Sequence, residues 1–259
     1  GEIDSTLIAQ KCRRVLQVKV WSKAEEEIPE YGTAWEPLHA ERVHRKILEA
    51  SLTLIENKES TLPWLSANGH VTVINIANKP SSGTPFVEHL SKTLGRSYKI
   101  DSFSVGKDCL NWEKEEVSNS CNEADLVIVN FLETSNRPSL KYGIQEAAVE
   151  EVQYRISKSK SDPLNTTKWA VNLFSNPYAL NDNWGEVKKL ADIVLLAYQD
   201  DYRTQEAVVN AITGVGSANG KLPVTPIGHD FKEGDGLGFE ATTGERLGWD
   251  KTQIVTTFQ

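Results

Sequence analysis

The sequence predicts an α/β fold, a doubly wound and mainly parallel sheet sandwiched between helices. Three observations predict it. Short apolar runs recur after Gly69, at residues 70–77, 97–104, 125–132, 168–174 and 192–198. Between and after them, apolar residues return with helical period at 85–94, 107–121, 142–157, 184–190 and 203–215. The runs are almost continuously apolar rather than alternating, as strands covered on both faces must be. Such strands in strict alternation with helices are the pattern of a parallel sheet whose crossovers cover both faces.

In chain order, Leu7, Ile8, Cys12, Val15, Leu16 and Val20 stand at helical spacing behind an Asp4 or Ser5 N-cap, so a helix is expected to about residue 23. An acidic Pro/Gly loop follows at 25–37. A second helical pattern at 38–50 runs into Leu52-Thr53-Leu54-Ile55, read as a lead-in, with the core beginning at Gly69. Residues 155–168, with Lys158, Ser159, Lys160 and Asp162-Pro163, read as a solvated polar connection. Gly214 to Gly220 offers a superficial G-x-G but ends a helix, so it reads as a helix stop and turn. After Pro226 come six glycines between Gly228 and Gly248 and few aliphatics, which suits a wrapping extension rather than another layer. The expected division is 1–37 as linker helix and loop, 38–226 as the α/β domain and 227–259 as a glycine-rich extension. The whole reads as a flavodoxin-like sandwich.

Composition removes several function classes. With 36 acidic against 28 basic residues the formal charge is −8, which repels phosphate backbones, so nucleic acid is not an expected partner. No apolar run approaches the ~20 residues of a membrane span. Three cysteines, Cys12, Cys109 and Cys121, form no C-x-x-C pair, and neither a disulfide framework nor a zinc site is expected. The five histidines are scattered; His39 and His44 stand five apart with no third ligand nearby. The turn Asn78-Lys79-Pro80-Ser81-Ser82-Gly83 lacks both G-x-G-x-x-G and G-K-[ST], so no nucleotide cofactor, and indeed no cofactor at all, is expected. No G-x-S-x-G elbow occurs, and no serine sits in a sharp strand-to-helix turn with a histidine partner, so nucleophilic serine or cysteine chemistry is not expected. The chain has no methionine, which reads as a fragment or processed chain.

Three segments resemble one family. Ser51-Leu52-Thr53-Leu54-Ile55-Glu56-Asn57 with Thr61-Leu62-Pro63 looks like the entrance to the C-terminal domain of glycoside hydrolase family 3. Asn176-Pro177-Tyr178-Ala179-Leu180 resembles its G-N-P-Y-x-L turn. Ser217-Ala218-Asn219-Gly220-Lys221-Leu222-Pro223-Val224-Thr225 is similar to its N-P-S-G-K-L-P-V-T ending. The helix around Arg14 to Lys19 resembles the family's connection from barrel to sandwich, and the likeness spans about residues 5–226. The Asn-Pro-Tyr-Ala-Leu form looks most like bacterial β-N-acetylhexosaminidases, with β-glucosidase-like members the alternative.

The resemblance implies a non-catalytic domain that braces an N-terminal (β/α)-barrel and rims its sugar site. The family's nucleophilic Asp and the hexosaminidase-type His lie in that barrel, and neither motif is present here. In β-glucosidase-like members this domain donates an acid/base Glu near E-G-x-D-R. The corresponding stretch reads Glu133-Thr134-Ser135-Asn136-Arg137-Pro138 and departs from that pattern, which counts against Glu133 as the catalytic candidate; Asp200-Asp201 are the other carboxylates expected at a strand carboxyl end. Asn176, Pro177 and Tyr178 are the expected rim or interdomain residues, because ligands of such sheets sit beyond the strand carboxyl ends. The expected partners are the barrel and carbohydrate. Export is left open, with a periplasmic or secreted parent compatible with the resemblance. The alternatives are a stand-alone carbohydrate- or protein-binding module of the same fold, and an unrelated doubly wound enzyme or small-ligand binder.

Overall fold

The computed structural model describes residues 4–22, 37–64, 68–226, 228 and 230–242. The acidic loop, apart from Pro37, and the end of the extension lie outside these, as does His229. The chain divides into two compact units, Gly1–Val43 and His44–Gln259. In the first, helix α1 (Ser5–Trp21) begins at Asp4, whose carboxylate accepts from the Thr6 N–H at 2.8 Å. It buries none of its residues, and Trp21 is 84% exposed. Helix α2 (Pro37–Ser51) leads into the second unit.

The second unit is built on six strands, β1 (Thr53–Asn57), β2 (Gly69–Ile76), β3 (Tyr98–Ser104), β4 (Leu126–Phe131), β5 (Lys168–Leu173) and β6 (Ile193–Leu196). Their spatial order is β1-β6-β5-β4-β2-β3, with β2 to β6 parallel and β1 antiparallel to β6. The five parallel strands thus take the flavodoxin-like order 2-1-3-4-5 when counted from β2. The lead-in of the sequence reading is therefore a strand of the sheet, and the core starts earlier than Gly69: Leu52 and Leu54 are each 1% exposed. An antiparallel edge strand needs no crossover helix, so the helix–strand rhythm did not reveal it.

Helices α3 (Thr84–Leu94) and α7 (Tyr202–Ile212) cover one face, packing Phe86, Leu90 and Val208 against Val73, Ile128 and Leu195. Helices α4 (Glu115–Glu123), α5 (Glu146–Ser161) and α6 (Asp182–Leu190) cover the other with Val117, Val152 and Trp184 against Ile74, Val129 and Phe131. The helix expected over 107–121 is broken. Cys109 is left-handed (φ 58°), a 3-10 turn spans Leu110–Glu113, and extended Lys114 precedes α4. The polar connection expected from residue 155 is helical as far as Ser161, with Ile156 fully buried and Arg155 lying 5.8 Å from the Trp112 ring. Beyond Pro226 the chain wraps: Phe231 is buried in the core, and Leu237 donates its N–H to Leu54 O on β1. No described helix is long and apolar enough to cross a membrane.

Candidate functional site

Strands β4 and β3 flank β2 on either side, and the chain leaves β2 toward β3 but returns past it to β4. This reversal makes the carboxyl ends of β2 and β4 the switch point where open α/β sheets place ligands. Glu133 stands there, two residues beyond β4. Its carboxylate accepts the N–H groups of Asn78 (3.2 Å) and Lys79 (2.8 Å) and the Ser82 hydroxyl (2.7 Å), all from the β2–α3 loop. Its own N–H donates to Asp200 Oδ2 at 2.6 Å, and its carbonyl accepts from the Lys107 ammonium. Lys107 also reaches Gly143 O (3.1 Å), and Gln205 on α7 joins Asp200 (3.0 Å) to the Ser82 carbonyl (2.9 Å).

These contacts set the two acids apart. Partial burial works against Glu133's charge, but the bonds from Ser82, Lys79 and Asn78 and the nearby Lys107 prevail and hold its carboxyl below the usual range. Burial raises Asp200, against the Glu133 N–H and Gln205 bonds that lower it. A general acid must carry a proton at working pH. Glu133 is instead held toward its charged form by three donors, two on Oε1 and one on Oε2.

The turn after β5 places the other expected residues. Asn176 caps a short 3-10 turn, Pro177–Ala179, with its side-chain oxygen accepting from the Tyr178 N–H at 3.0 Å. Pro177 is buried, whereas Tyr178 is 47% exposed. Beside Tyr178 lies a cavity of about 290 Å³, lined by Tyr142, Ile144, Trp184 and Asn181 and by Lys141 and Glu146, which pair at 3.1 Å. Glu133 does not line it. After each of β3 to β6 a large apolar side chain stands in solvent: Leu110, Leu140, Tyr178 and, as the first residue of α7, Tyr202.

Two groupings went unread in the sequence. His70, Asp101 and Ser120 meet beside β2, β3 and α4, although no serine had been given a histidine partner. Asp101 Oδ2 (2.8 Å) and Ser120 Oγ (3.5 Å) both approach the same ring nitrogen, His70 Nε2. A proton relay needs acid and serine on opposite nitrogens. Ser120 is also buried and bonded to Thr72 (2.7 Å), so the cluster is a polar staple between sheet and helix. The second grouping is a row of buried asparagines in register on β2, β4 and β5. Asn172 donates to Asn130 (2.8 Å) and Asn130 to Asn75 (3.0 Å). An asparagine between apolar neighbours recurs in three strands, Ile74-Asn75-Ile76, Val129-Asn130-Phe131 and Val171-Asn172-Leu173, and that repetition was the available signal. Among the described residues no three His, Cys, Asp or Glu side chains come together as a metal site.

No protein-family model matches the chain, and no curated protein sequence does. Solved structures match in fold. One is a fungal multi-domain family-3 glycoside hydrolase, a β-N-acetylglucosaminidase with a GCN5-related glucosamine N-acetyltransferase region (TM-score 0.60, 20% identity, 89% of this chain and 24% of that one). Another is the family-3 β-N-acetylglucosaminidase of Paenibacillus sp. str. FPU-7 (TM-score 0.59, 15% identity, 87% of this chain and 40% of that one). The fold is one that family-3 glycoside hydrolases carry. A β-glucosidase from Listeria innocua in complex with isofagomine matches similarly (TM-score 0.58, 14% identity, 86% of this chain and 33% of that one). The chain therefore spans between 24% and 40% of the length of these proteins.

Proposed function

We propose that the chain is the C-terminal, non-catalytic domain of a family-3 glycosidase, bracing the barrel that carries the reacting groups and rimming its sugar site near Tyr178. The observation that carries this is the match of nearly the whole chain to a minor part of each such enzyme. Glycoside hydrolysis normally needs two carboxylates across the scissile bond. The candidate here, Glu133, is tied by three donors and stands outside the aromatic cavity. The Asn-Pro-Tyr-Ala-Leu turn favours a parent of the bacterial β-N-acetylhexosaminidase type, with β-glucosidase-like members the alternative. The chain alone is expected not to hydrolyse nitrophenyl β-N-acetylglucosaminide or β-glucoside. Turnover by the pure chain that disappears in Glu133→Gln would overturn the reading. The cavity beside Tyr178 favours one rival, a free-standing carbohydrate-binding module. That rival predicts millimolar binding of N-acetylglucosamine or glucose by the isolated chain, lost in Tyr178→Ala.

A further inference from the structure

A second cavity, of about 630 Å³, lies at the other end of the sheet from Glu133, where the chain enters β4 and β5 through Asp125 and Thr167. Helix α5 packs along α6 but hardly against α4, and the space is the trough left between α4 and α5. Trp112, Cys121 and Trp169 are its buried lining. The last turns of α5 and residues 161–167 form one wall, the stretch that read as a solvated connection. Two donors here have more capacity than partners. Arg155 stands 5.8 Å from the Trp112 ring and gives its Nε–H to Glu151 (2.6 Å) and an Nη1–H to Ser118 (3.3 Å). Its side chain is only 15% exposed, yet among the described residues no acceptor meets its Nη2. The Trp112 indole N–H is buried without a hydrogen-bond partner, the Cys121 thiol beside it being a weak acceptor. Donors left bare in an interior cost free energy, which an arriving acceptor recovers.

The charges of the lining are divided. Lys158, one turn beyond Arg155 on α5, forms no ion pair among the described residues, and neither do Glu123 and Asp125 at the junction of α4 and β4. Asp125 accepts from the His70 N–H (2.8 Å), and Asp162, just past α5, accepts from the Leu164 N–H (2.9 Å). We propose that this cavity binds a small zwitterion, an amino acid or short peptide, with its carboxylate on Arg155 and Lys158 and its ammonium toward Glu123 and Asp125. A guanidinium matches a carboxylate in plane and spacing, and Glu151 and Trp112 hold Arg155 in place before any ligand arrives, so little side-chain freedom is lost. Three acids around the space oppose a polyanion. A neutral sugar would leave the opposed charges unanswered. The proposal goes beyond the reading of the chain as a glycosidase domain and does not depend on it.

Titration of the full chain with L-alanyl-L-alanine, followed through its amide and indole NMR signals, tests it. Signals of residues 118–125 and 155–167 and the Trp112 and Trp169 indole N–H should move and saturate at about millimolar ligand, while those of 133–136 and 176–181 stay still. N-acetyl-L-alanine and ethylamine, which keep one charge each, should bind at least about tenfold more weakly. Inorganic phosphate and N-acetylglucosamine should move none of these signals. Glu123→Gln should weaken the dipeptide at least about threefold and leave N-acetyl-L-alanine unchanged. Arg155→Lys keeps the charge but not the planar fork and should weaken both about tenfold. Lys158→Gln alters an exposed residue and should weaken both severalfold, a reading that stands even if Arg155→Lys disturbs the fold. Absence of dipeptide shifts at this end of the sheet overturns the site. Phosphate or N-acetyl-L-alanine binding as tightly as the dipeptide overturns the zwitterion, and N-acetylglucosamine moving the same signals gives the cavity to a sugar instead. Wild-type dipeptide affinity in both Glu123→Gln and Lys158→Gln overturns the residues assigned.

Discussion

Asn130→Leu is expected to cost far more than its modest change of shape suggests. Asn130 is fully buried at the centre of the asparagine row, donating to Asn75 Oδ1 at 3.0 Å and accepting from Asn172 Nδ2 at 2.8 Å. Leucine keeps the branching of asparagine, with bulkier methyl ends, but leaves the Asn75 oxygen and the Asn172 amide without partners in the interior. Each stranded group costs about 1–3 kcal/mol, so the variant should lose about 2–6 kcal/mol. The Asn172 oxygen has no partner even in the native protein. The double variant Asn130→Leu/Asn172→Leu removes both polar ends of that residue and strands only Asn75. It should therefore recover about 1–3 kcal/mol relative to the single variant. Urea unfolding followed by tryptophan fluorescence, with midpoints compared at unchanged slope, reads both values. A single variant within about 1 kcal/mol of wild type, or a double variant worse than the single, would refute the account of the row as a chain of coupled hydrogen bonds centred on Asn130.

Packing and burial yield three further predictions. A Cβ on Gly83 would lie 2.3 Å from the Asn75 side chain, so Gly83→Ala should lower stability by about 1–3 kcal/mol in guanidinium titration; wild-type stability would show that the two do not touch. Burial pushes the Cys109 and Cys121 thiols up to about 12 from 9.0, so iodoacetamide at pH 8 should label exposed Cys12 alone. Because these thiols hold their protons more tightly when folded, their contribution is intact below pH 9.0 and is lost as pH rises toward about 12. Between pH 8 and 10 the pair should cost about 2–3 kcal/mol. An identical pH dependence in Cys109→Ala/Cys121→Ala would contradict this.

The parallel strands were legible because each is buried on both faces, so Val127, Ile128 and Val129 must all be apolar and leave an unmistakable run. What failed was whatever depends on strand order. The reversal between β2 and β4 brings Glu133 to the Asn78–Ser82 loop across about fifty residues of sequence, and no local pattern encodes that meeting. The same holds for His70, Asp101 and Ser120, which come from two strands and a helix. The broken helix at 107–121 failed for a local reason, since Cys109 in a left-handed conformation is an unusual choice that composition does not announce. Asn176, Pro177 and Tyr178 were legible as a stiff turn because proline and an Asx cap write their geometry into adjacent residues.

The pairing of Leu237 with Leu54 also bears on solubility. A sheet with a bare border strand invites another chain to add to it, and proteins guard such borders with charge or cover. Strand β3 is guarded by charge, where Lys99 and Asp101 pair at 2.9 Å. On the opposite border, β1 is largely apolar at Leu54 and Ile55, and the wrapping segment shields it. Trimming the chain at residue 226 would leave a folded sheet with a sticky side, prone to assemble into aggregates through that strand.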